Sequence, residues 1–400
     1  MSDAQLVCPH CQLHMQGCVL DLSQRAWCPR CGAPIADGSP LATRWLTALA
    51  LVLLTASLSL LVLPLLGFSV VGINNEATLL GGIIKLAQEG QWLPSMLVFL
   101  TALVVPCLLA ILLLVVLFAP DGYMRRQSMV ALGELREWCM LDILLVGLCV
   151  SMVKLADIGD LHFRSGILAL VLGQLAMAAL IQGIRPAVLW QRIASQPPTA
   201  VTGLRACPRC HGLNAAGAHR CWRCQQWLES RPVSGKRLCW SLLVASVILL
   251  IPANVLAMSY TTHFGATGSD TIFSGVITLA KNGSPSIAVI VFVASIVVPV
   301  GKILMLGTIL VQSQRQQFSP RRAQQLYRVV NFIGRWSMLD IFVIAIMVTL
   351  VDQGLLSQFR VGPAATPFAM VVLLTMFAAR RFDTRWLWIQ DERNRRQKAG

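Results

Sequence analysis

Eight of the thirteen cysteines fall into four C-x-x-C pairs, grouped two by two. Cys8, Cys11, Cys28 and Cys31 read C-x2-C-x16-C-x2-C, and Cys207, Cys210, Cys221 and Cys224 read C-x2-C-x10-C-x2-C. A C-x-x-C turn lets two thiolates reach one ion, and two such turns make a closed tetrahedral site of the structural Zn2+ type. Two Zn2+ ions are therefore expected, one per module, each structural because four thiolates leave no open position for a reactant. The second loop is the shorter one, and His211 or His219 is an alternative fourth ligand there. A thioredoxin-like redox reading fits less well, because that motif is single and opens a helix after a strand. The remaining cysteines, among them Cys18, Cys107 and Cys239, are scattered, which is not the pattern of a secreted disulfide framework.

A second chemistry is signalled by a charge where none is expected. Lys302 lies in VVPVGKILML (297–306), inside a run that is otherwise apolar from Ile287 to Val311. An ammonium group in a membrane-length segment is costly and calls for a function. Ser295 lies seven residues earlier on the same helical face, and Thr375 lies in the last apolar segment. Asp340 and Asp142 each close a W-x-M-L-D motif. At a rise of roughly 1.5 Å per residue, Lys302, Asp340 and Thr375 sit in the same half of the membrane. A Lys302–Asp340 pair with Ser295 and Thr375 as partners would make a buried network able to bind and release protons. The plainer readings are that both aspartates stabilise helix N-termini near the interface and that Lys302 snorkels to the headgroups.

The elements that must carry these residues follow from composition. The chain has 400 residues, 56% hydrophobic and 13% charged, with a mean hydropathy of +0.67. That is a multi-pass membrane protein. The formal charge of +15 sits mostly beside apolar segments, which fits the positive-inside rule and not nucleic-acid binding. Four spans follow each cysteine module, near 45–66, 95–119, 138–155 and 165–184, then near 238–258, 286–312, 336–352 and 365–380. The expected layout is a first zinc ribbon over 1–40, a first repeat over 41–195, a second ribbon over 203–230, a second repeat over 236–390 and a basic tail over 391–400.

The halves are a repeat and not only alike in hydropathy. TLLGGIIKLAQEG (78–90) matches TIFSGVITLAKNG (271–283), VVP at 104–106 matches VVP at 297–299, and WCMLD (138–142) matches WSMLD (336–340). Lys302 corresponds to Leu109, Ser295 to Ala102 and Thr375 to Met177, so only the second half carries the polar set, whereas Asp340 corresponds to Asp142. Parallel repeats are a common transporter plan. The cation-rich loops (Arg125, Arg126 and Arg136; Arg315, Arg321, Arg322 and Arg328) and the tail (Arg393, Arg395, Arg396 and Lys398) put both termini and both cysteine modules in the cytosol. The opposite loops carry Asn74, Glu76, Glu89, Asp157 and Asp160. Segments 78–90 and 271–283 are too short to span and read as amphipathic helices on the external side, ended by Gly90 and Gly283. No G-x-x-x-x-G-K-[ST], H-E-x-x-H or G-x-S-x-G motif occurs, so an ATPase, a protease or a lipase has no support and no enzyme is expected.

The doubled module, VVP and W-x-M-L-D together resemble the paraquat-inducible protein A family over about residues 5–390. The resemblance implies an inner-membrane protein of a Gram-negative bacterium, acting with a membrane-anchored, periplasm-spanning partner built of MCE domains to move phospholipids between the two membranes. It implies tetraspanin-like four-span halves, zinc on all eight cysteines, and an intramembrane polar cluster at Ser295, Lys302, Asp340 and Thr375. The fold expected is thus all-α and polytopic. The rival reading is a zinc-dependent membrane scaffold or stress sensor, and a weaker one is a membrane thiol oxidoreductase.

Overall fold

The computed structural model describes residues 5–8, 11, 13–16, 25–32, 34–37, 42–70, 73–156, 160–184, 189–190, 193, 204–207, 209–210, 212–215, 217–228, 234–263, 266–281, 285–314, 320–350, 357–382 and 388. Arg315, Asp157, His211, Gly283 and the basic tail lie outside them. The first cysteine module holds two hairpins, β1 (Gln5–Val7) with β2 (His14–Gln16) and β3 (Arg25–Trp27) with β4 (Pro34–Asp37). The first half follows as α1 (Thr43–Ser59), β5 (Leu66–Val70), β6 (Ile73–Ala77), α2 (Leu79–Gln88), α3 (Trp92–Phe118), α4 (Tyr123–Leu135), α5 (Leu141–Ala156), β7 (Asp160–Phe163) and α6 (Ser165–Gly183). The second module contains the hairpin β8 (Leu204–Ala206) and β9 (Leu213–Ala215).

The second half repeats the order of the first: α7 (Ser234–Val255), β10 (Ser259–His263), β11 (Ala266–Asp270), α8 (Ile272–Lys281), α9, α10 (Pro320–Gly334), α11 (Leu339–Leu350), β12 (Ser357–Val361) and α12 (Ala365–Arg381). Helix α9 runs as Pro285–Phe292, a π-helical segment Val293–Val297, and Val298–Gln314. Among the described residues, five helical stretches are long and apolar enough to cross a membrane: Trp92–Phe118, Ser165–Gly183, Arg237–Val255, Ala288–Gln312 and Pro320–Leu350. The spans expected near 45–66, 138–155 and 365–380 correspond to α1, α5 and α12, shorter helices of 17, 16 and 17 residues. The first ends at Ser59, with one further turn closed by the Leu63 N–H on the Ser59 carbonyl at 2.9 Å, and Pro64 keeps the helix from resuming.

Two further expectations change. The protein is mostly helical but not all-α. Each half ties two of its connecting segments into a three-stranded antiparallel sheet, β6-β5-β7 and β11-β10-β12, in which Phe68 pairs with Asn75 and Leu161, and Thr261 with Gly268 and Phe359. Backbone leaving an apolar span still needs partners for its N–H and C=O groups, and a ladder supplies them. The arginine-rich loops also fold, as α4 and α10. In α10 the buried positions Pro320, Ala323, Gln324, Val330 and Gly334 form one face, while Arg321, Arg322 and Arg328 remain outside it.

The VVP motif acquires a structural reason. The π segments Leu100–Val104 and Val293–Val297 occupy matching places in the two halves, and Pro106 and Pro299 follow each by two residues. Proline cannot donate to the carbonyl four residues back and collides with it, and a widened turn relieves that collision. Within each half the first and last helices pack together, α1 along α6 and α7 along α12. Helix α11 is the shared axis. Of its twelve residues all but Asp340 are buried, and it packs on α5 and α2 of the other half. A Cβ placed on Gly147 would lie 3.2 Å from Phe342 Cβ, and one on Gly82 would lie 2.4 Å from the Ala345 carbonyl oxygen, so small residues set the spacing of the halves.

Candidate functional site

The two cysteine clusters form as the spacing requires. In the first, Cys8 and Cys31 sulfurs lie 3.6 Å apart and Cys11 and Cys28 sulfurs 3.5 Å apart. In the second the pairs are Cys207 and Cys224 at 3.7 Å and Cys210 and Cys221 at 3.4 Å. All four sulfurs of each cluster lie within 4.8 Å of one another, so either group could hold a metal ion. A tetrahedral ion with metal–sulfur bonds of about 2.3 Å would set its sulfurs about 3.8 Å apart, so the donor set and its size fit Zn2+. His219 is exposed and lies outside the second cluster, whose four members are cysteines. Hydrogen bonding from Cys210 brings Cys207 down to about 7 and hydrogen bonding from Cys207 lowers Cys221, while their neighbours Cys210 and Cys224 rise. In each cluster the thiols share protons that a divalent cation would displace.

Backbone and side chains hold these sulfurs in place. The residue after each downstream pair turns into the left-handed region, Gly32 at φ +63° and Gln225 at φ +59°, and each donates its N–H to the first cysteine of its pair at 2.8 Å. Asn214 donates to the Cys221 sulfur at 3.6 Å and accepts from the Trp222 N–H at 3.0 Å, linking a ligand to the hairpin. Glycine adopts the left-handed conformation freely, whereas glutamine does so at a cost of about 1–2 kcal/mol. Gln225→Gly is therefore expected to stabilise the second module by about 1 kcal/mol. Titration with a metal chelator should then reach its midpoint at higher chelator concentration than in the parent protein.

Each module docks on the half that it does not precede. Arg321 donates to the Arg30 carbonyl at 3.0 Å, Arg328 to the Cys31 carbonyl at 3.1 Å, and the Arg30 guanidinium lies 4.7 Å from the Trp388 ring centroid. The first module thus rests on α10 of the second half. The second module meets the first half through an ion pair between Arg209 and Glu134 on α4.

Lys302 is 1% exposed, and among the described residues its Nζ has no hydrogen-bond partner. It reaches towards Gly334, where an added Cβ would stand 3.1 Å from Nζ. A Lys302–Asp340 hydrogen bond is accordingly not formed. Ser295 and Thr375 are buried and donate within their own helices, to the Val291 carbonyl at 2.6 Å and the Val372 carbonyl at 3.0 Å. Each hydroxyl keeps acceptor capacity for a neighbour. Asp340 lies in the first turn of α11, and Asp142 in the first turn of α5, where its Oδ1 accepts from the Ile143 N–H at 3.0 Å. Asp142 also faces Arg335 of the other half at 3.8 Å.

Four residues around the lysine were not singled out by sequence reasoning. Lys302 lines a cavity of about 470 Å3 together with Arg136, Glu137, Arg335 and Arg380. Arg380 pairs with Glu137 at 3.0 Å, and its guanidinium lies 5.2 Å from the Trp138 ring centroid. Their signal in sequence was position: Arg136 and Arg335 stand just before the two W-x-M-L-D motifs, and Arg380 lies in the last turn of the last helix. Only Arg136 was counted among the positive-inside charges, and position alone gave no hint that the four converge.

Comparison with known proteins places the chain. The profile of the paraquat-inducible protein A family matches residues 43–194 and 237–392. The lipophilic envelope-spanning tunnel protein A of Escherichia coli K12 is 33% identical over 386 residues, covering 95% of this chain and 90% of that protein. A probable intermembrane transport protein of Haemophilus influenzae is 33% identical over 389 residues, covering 92% of each. The intermembrane transport protein PqiA of Escherichia coli K12 is 32% identical over 396 residues, covering 96% of this chain and 95% of that one. No solved structure matches. With both halves matched by one profile and relatives aligned along nearly the whole length, this chain belongs to the paraquat-inducible protein A family.

Proposed function

We propose that this protein is the inner-membrane subunit of a lipid transport system that moves phospholipids between the inner and outer membranes. A membrane-anchored MCE-domain protein is its partner across the periplasm. The protein comprises two tetraspanin-like repeats of four spans, over 41–195 and 236–390, with both termini and both ribbons in the cytosol and one structural Zn2+ in each ribbon. The ion supplies a rigid cross-link in place of a hydrophobic core, and Cys8, Cys11, Cys28 and Cys31, with Cys207, Cys210, Cys221 and Cys224, are its ligands. Proton movement through Lys302 and Asp340 supplies the energy, with Ser295, Thr375 and Asp142 beside the path.

The observation that carries the reading is a lysine that is 1% exposed within an apolar helix, in a chain whose relatives are named as transport proteins along more than nine-tenths of its length. An ammonium so placed is retained against a large desolvation cost. The test is reconstitution of the full chain with the MCE-domain partner in vesicles containing a fluorescent phosphatidylglycerol, following transfer to acceptor vesicles. Transfer should proceed under an imposed proton gradient and fall at least about tenfold when an uncoupler collapses it or when Asp340 is replaced by Asn, by the scale of a lost proton-transfer group. Transfer that ignores the gradient removes the proton step, and no transfer at all favours the scaffold reading.

A further inference from the structure

The cavity above Lys302 has a composition that the transport reading does not by itself require. Three guanidinium groups and one ammonium line it, against the single carboxylate of Glu137. The cations come from both halves: Arg136 lies between α4 and α5, Arg335 follows α10, and Arg380 lies in the last turn of α12. Their existing contacts leave donors free. Arg136 gives one N–H to the Ile181 carbonyl at 3.2 Å, Arg335 meets Asp142 at the long distance of 3.8 Å, and Arg380 pairs with Glu137 through its Nε and donates one further N–H to the Glu134 carbonyl. Each guanidinium has five N–H groups, so most remain to be satisfied. At the floor, Nζ of Lys302 is buried with three donors and no acceptor. A buried ammonium in that state is destabilising, and an anion entering the cavity would remove the deficit.

We infer that this cavity is a binding site for a phosphate ester anion, with Lys302 at its floor and Arg136, Arg335 and Arg380 as its walls. Guanidinium groups match phosphate oxygens in a two-point geometry, and a lysine adds a point charge behind them. The volume of about 470 Å3 lies within the usual range for small-molecule sites. It exceeds what one phosphate fills, and the excess is bounded by apolar side chains: Ile181 and buried Met376 and Val330 inside, exposed Phe332 at the mouth. That combination suits a phosphate carrying a glycerol and the first methylenes of acyl chains, which is a phospholipid headgroup. The lipid assignment rests on the transport reading, whereas the anion site rests on the cavity alone. Because its cations come from both halves, an anion bound there bridges the halves on the side of the cysteine modules.

The experiment is direct binding to the purified, metal-loaded full chain in a non-ionic detergent, by calorimetry. The probes are dihexanoylphosphatidylglycerol, inorganic phosphate and dihexanoylglycerol, which shares the chains but lacks the phosphate. The phosphatidylglycerol should bind, the diacylglycerol should not, and affinity should drop at least about tenfold in Lys302→Met and in Arg335→Gln, the scale of one lost charge-assisted contact. Arg322→Gln, on the exposed face of α10 outside the cavity, should change nothing. Metal content and melting temperature equal to the parent's certify each variant as folded. Inorganic phosphate binding as tightly as the lipid keeps the anion site and assigns it to free phosphate. The inference is overturned if neither phosphate probe binds, if dihexanoylglycerol binds as well as its phosphate ester, or if both cavity variants keep parental affinity. Binding without vesicle transfer would sink the transport reading and leave this site standing, and transfer without binding would do the reverse.

Discussion

Purified Cys221→Ser protein is expected to carry one metal ion per chain, and the parent protein two. Cys221 is 1% exposed and sits 3.4 Å from Cys210, with the Asn214 amide donating to its sulfur. A serine hydroxyl there is a far poorer ligand, and the module has two short strands and little apolar core to fall back on. Structural zinc contributes about 10–16 kcal/mol to modules of this type, so losing one ligand should unfold the second module. The effect should stay local, because the first cluster has its own four cysteines. The docking pattern adds a sharper consequence. Loss of the second module should release Glu134 on α4 of the first half, and loss of the first, by Cys28→Ser, should release α10 of the second half. Metal analysis by mass spectrometry, with limited proteolysis to see which helix becomes accessible, reads both. A count of two ions in Cys221→Ser would refute a four-thiolate site.

The second large effect concerns two matching glycines. Gly82 on α2 and Gly275 on α8 occupy equivalent places in the repeat. An added methyl at Gly82 would stand 2.4 Å from the Ala345 carbonyl oxygen of α11, whereas one at Gly275 would have no atom of the described residues within 4 Å. Overpacking against backbone cannot be relieved by a side-chain rotation, so Gly82→Ala should cost about 1–3 kcal/mol and push α2 from α11. Gly275→Ala should stabilise by up to about 1 kcal/mol, since alanine has the higher helix propensity and no contact is disturbed. Thermal unfolding in detergent should therefore move in opposite directions for the same substitution. Equal shifts would mean that α2 and α8 share one environment, contrary to the buried α2 face at Gly82, Ile83 and Leu86 and the single buried residue Ile272 of α8.

Much of the site was legible from residue type and spacing. Four C-x-x-C pairs bring four sulfurs together in each module because the turn is local and its geometry depends on few residues. Lys302 stood out because a cation in a long apolar run has few explanations. The segments 78–90 and 271–283 were legible as short helices, and Gly90 does adopt φ +82° as a helix-ending glycine must. The strands were not legible as such. Ser259–His263 and Ser357–Val361 are short and polar, and they pair only because α7 and α12 bring their ends together. Helices α4 and α10 were hidden because their arginines read as loop charges.

What sequence alone determined, then, is local: the two four-cysteine clusters, the apolar segments, the repeat with its VVP and W-x-M-L-D motifs, and a lysine inside an apolar run. These depend on neighbours within a few residues or on a comparison of one half with the other. What only the tertiary structure decided is how the halves meet. The crossing of each cysteine module to the opposite half, the burial of α2 against α11 where the α8 face stays more open among the described residues, and the gathering of Arg136, Arg335 and Arg380 over Lys302 all join residues scores of positions apart. Such contacts are set by which helix faces reach each other, and a periodic pattern in sequence names a face without naming what will cover it.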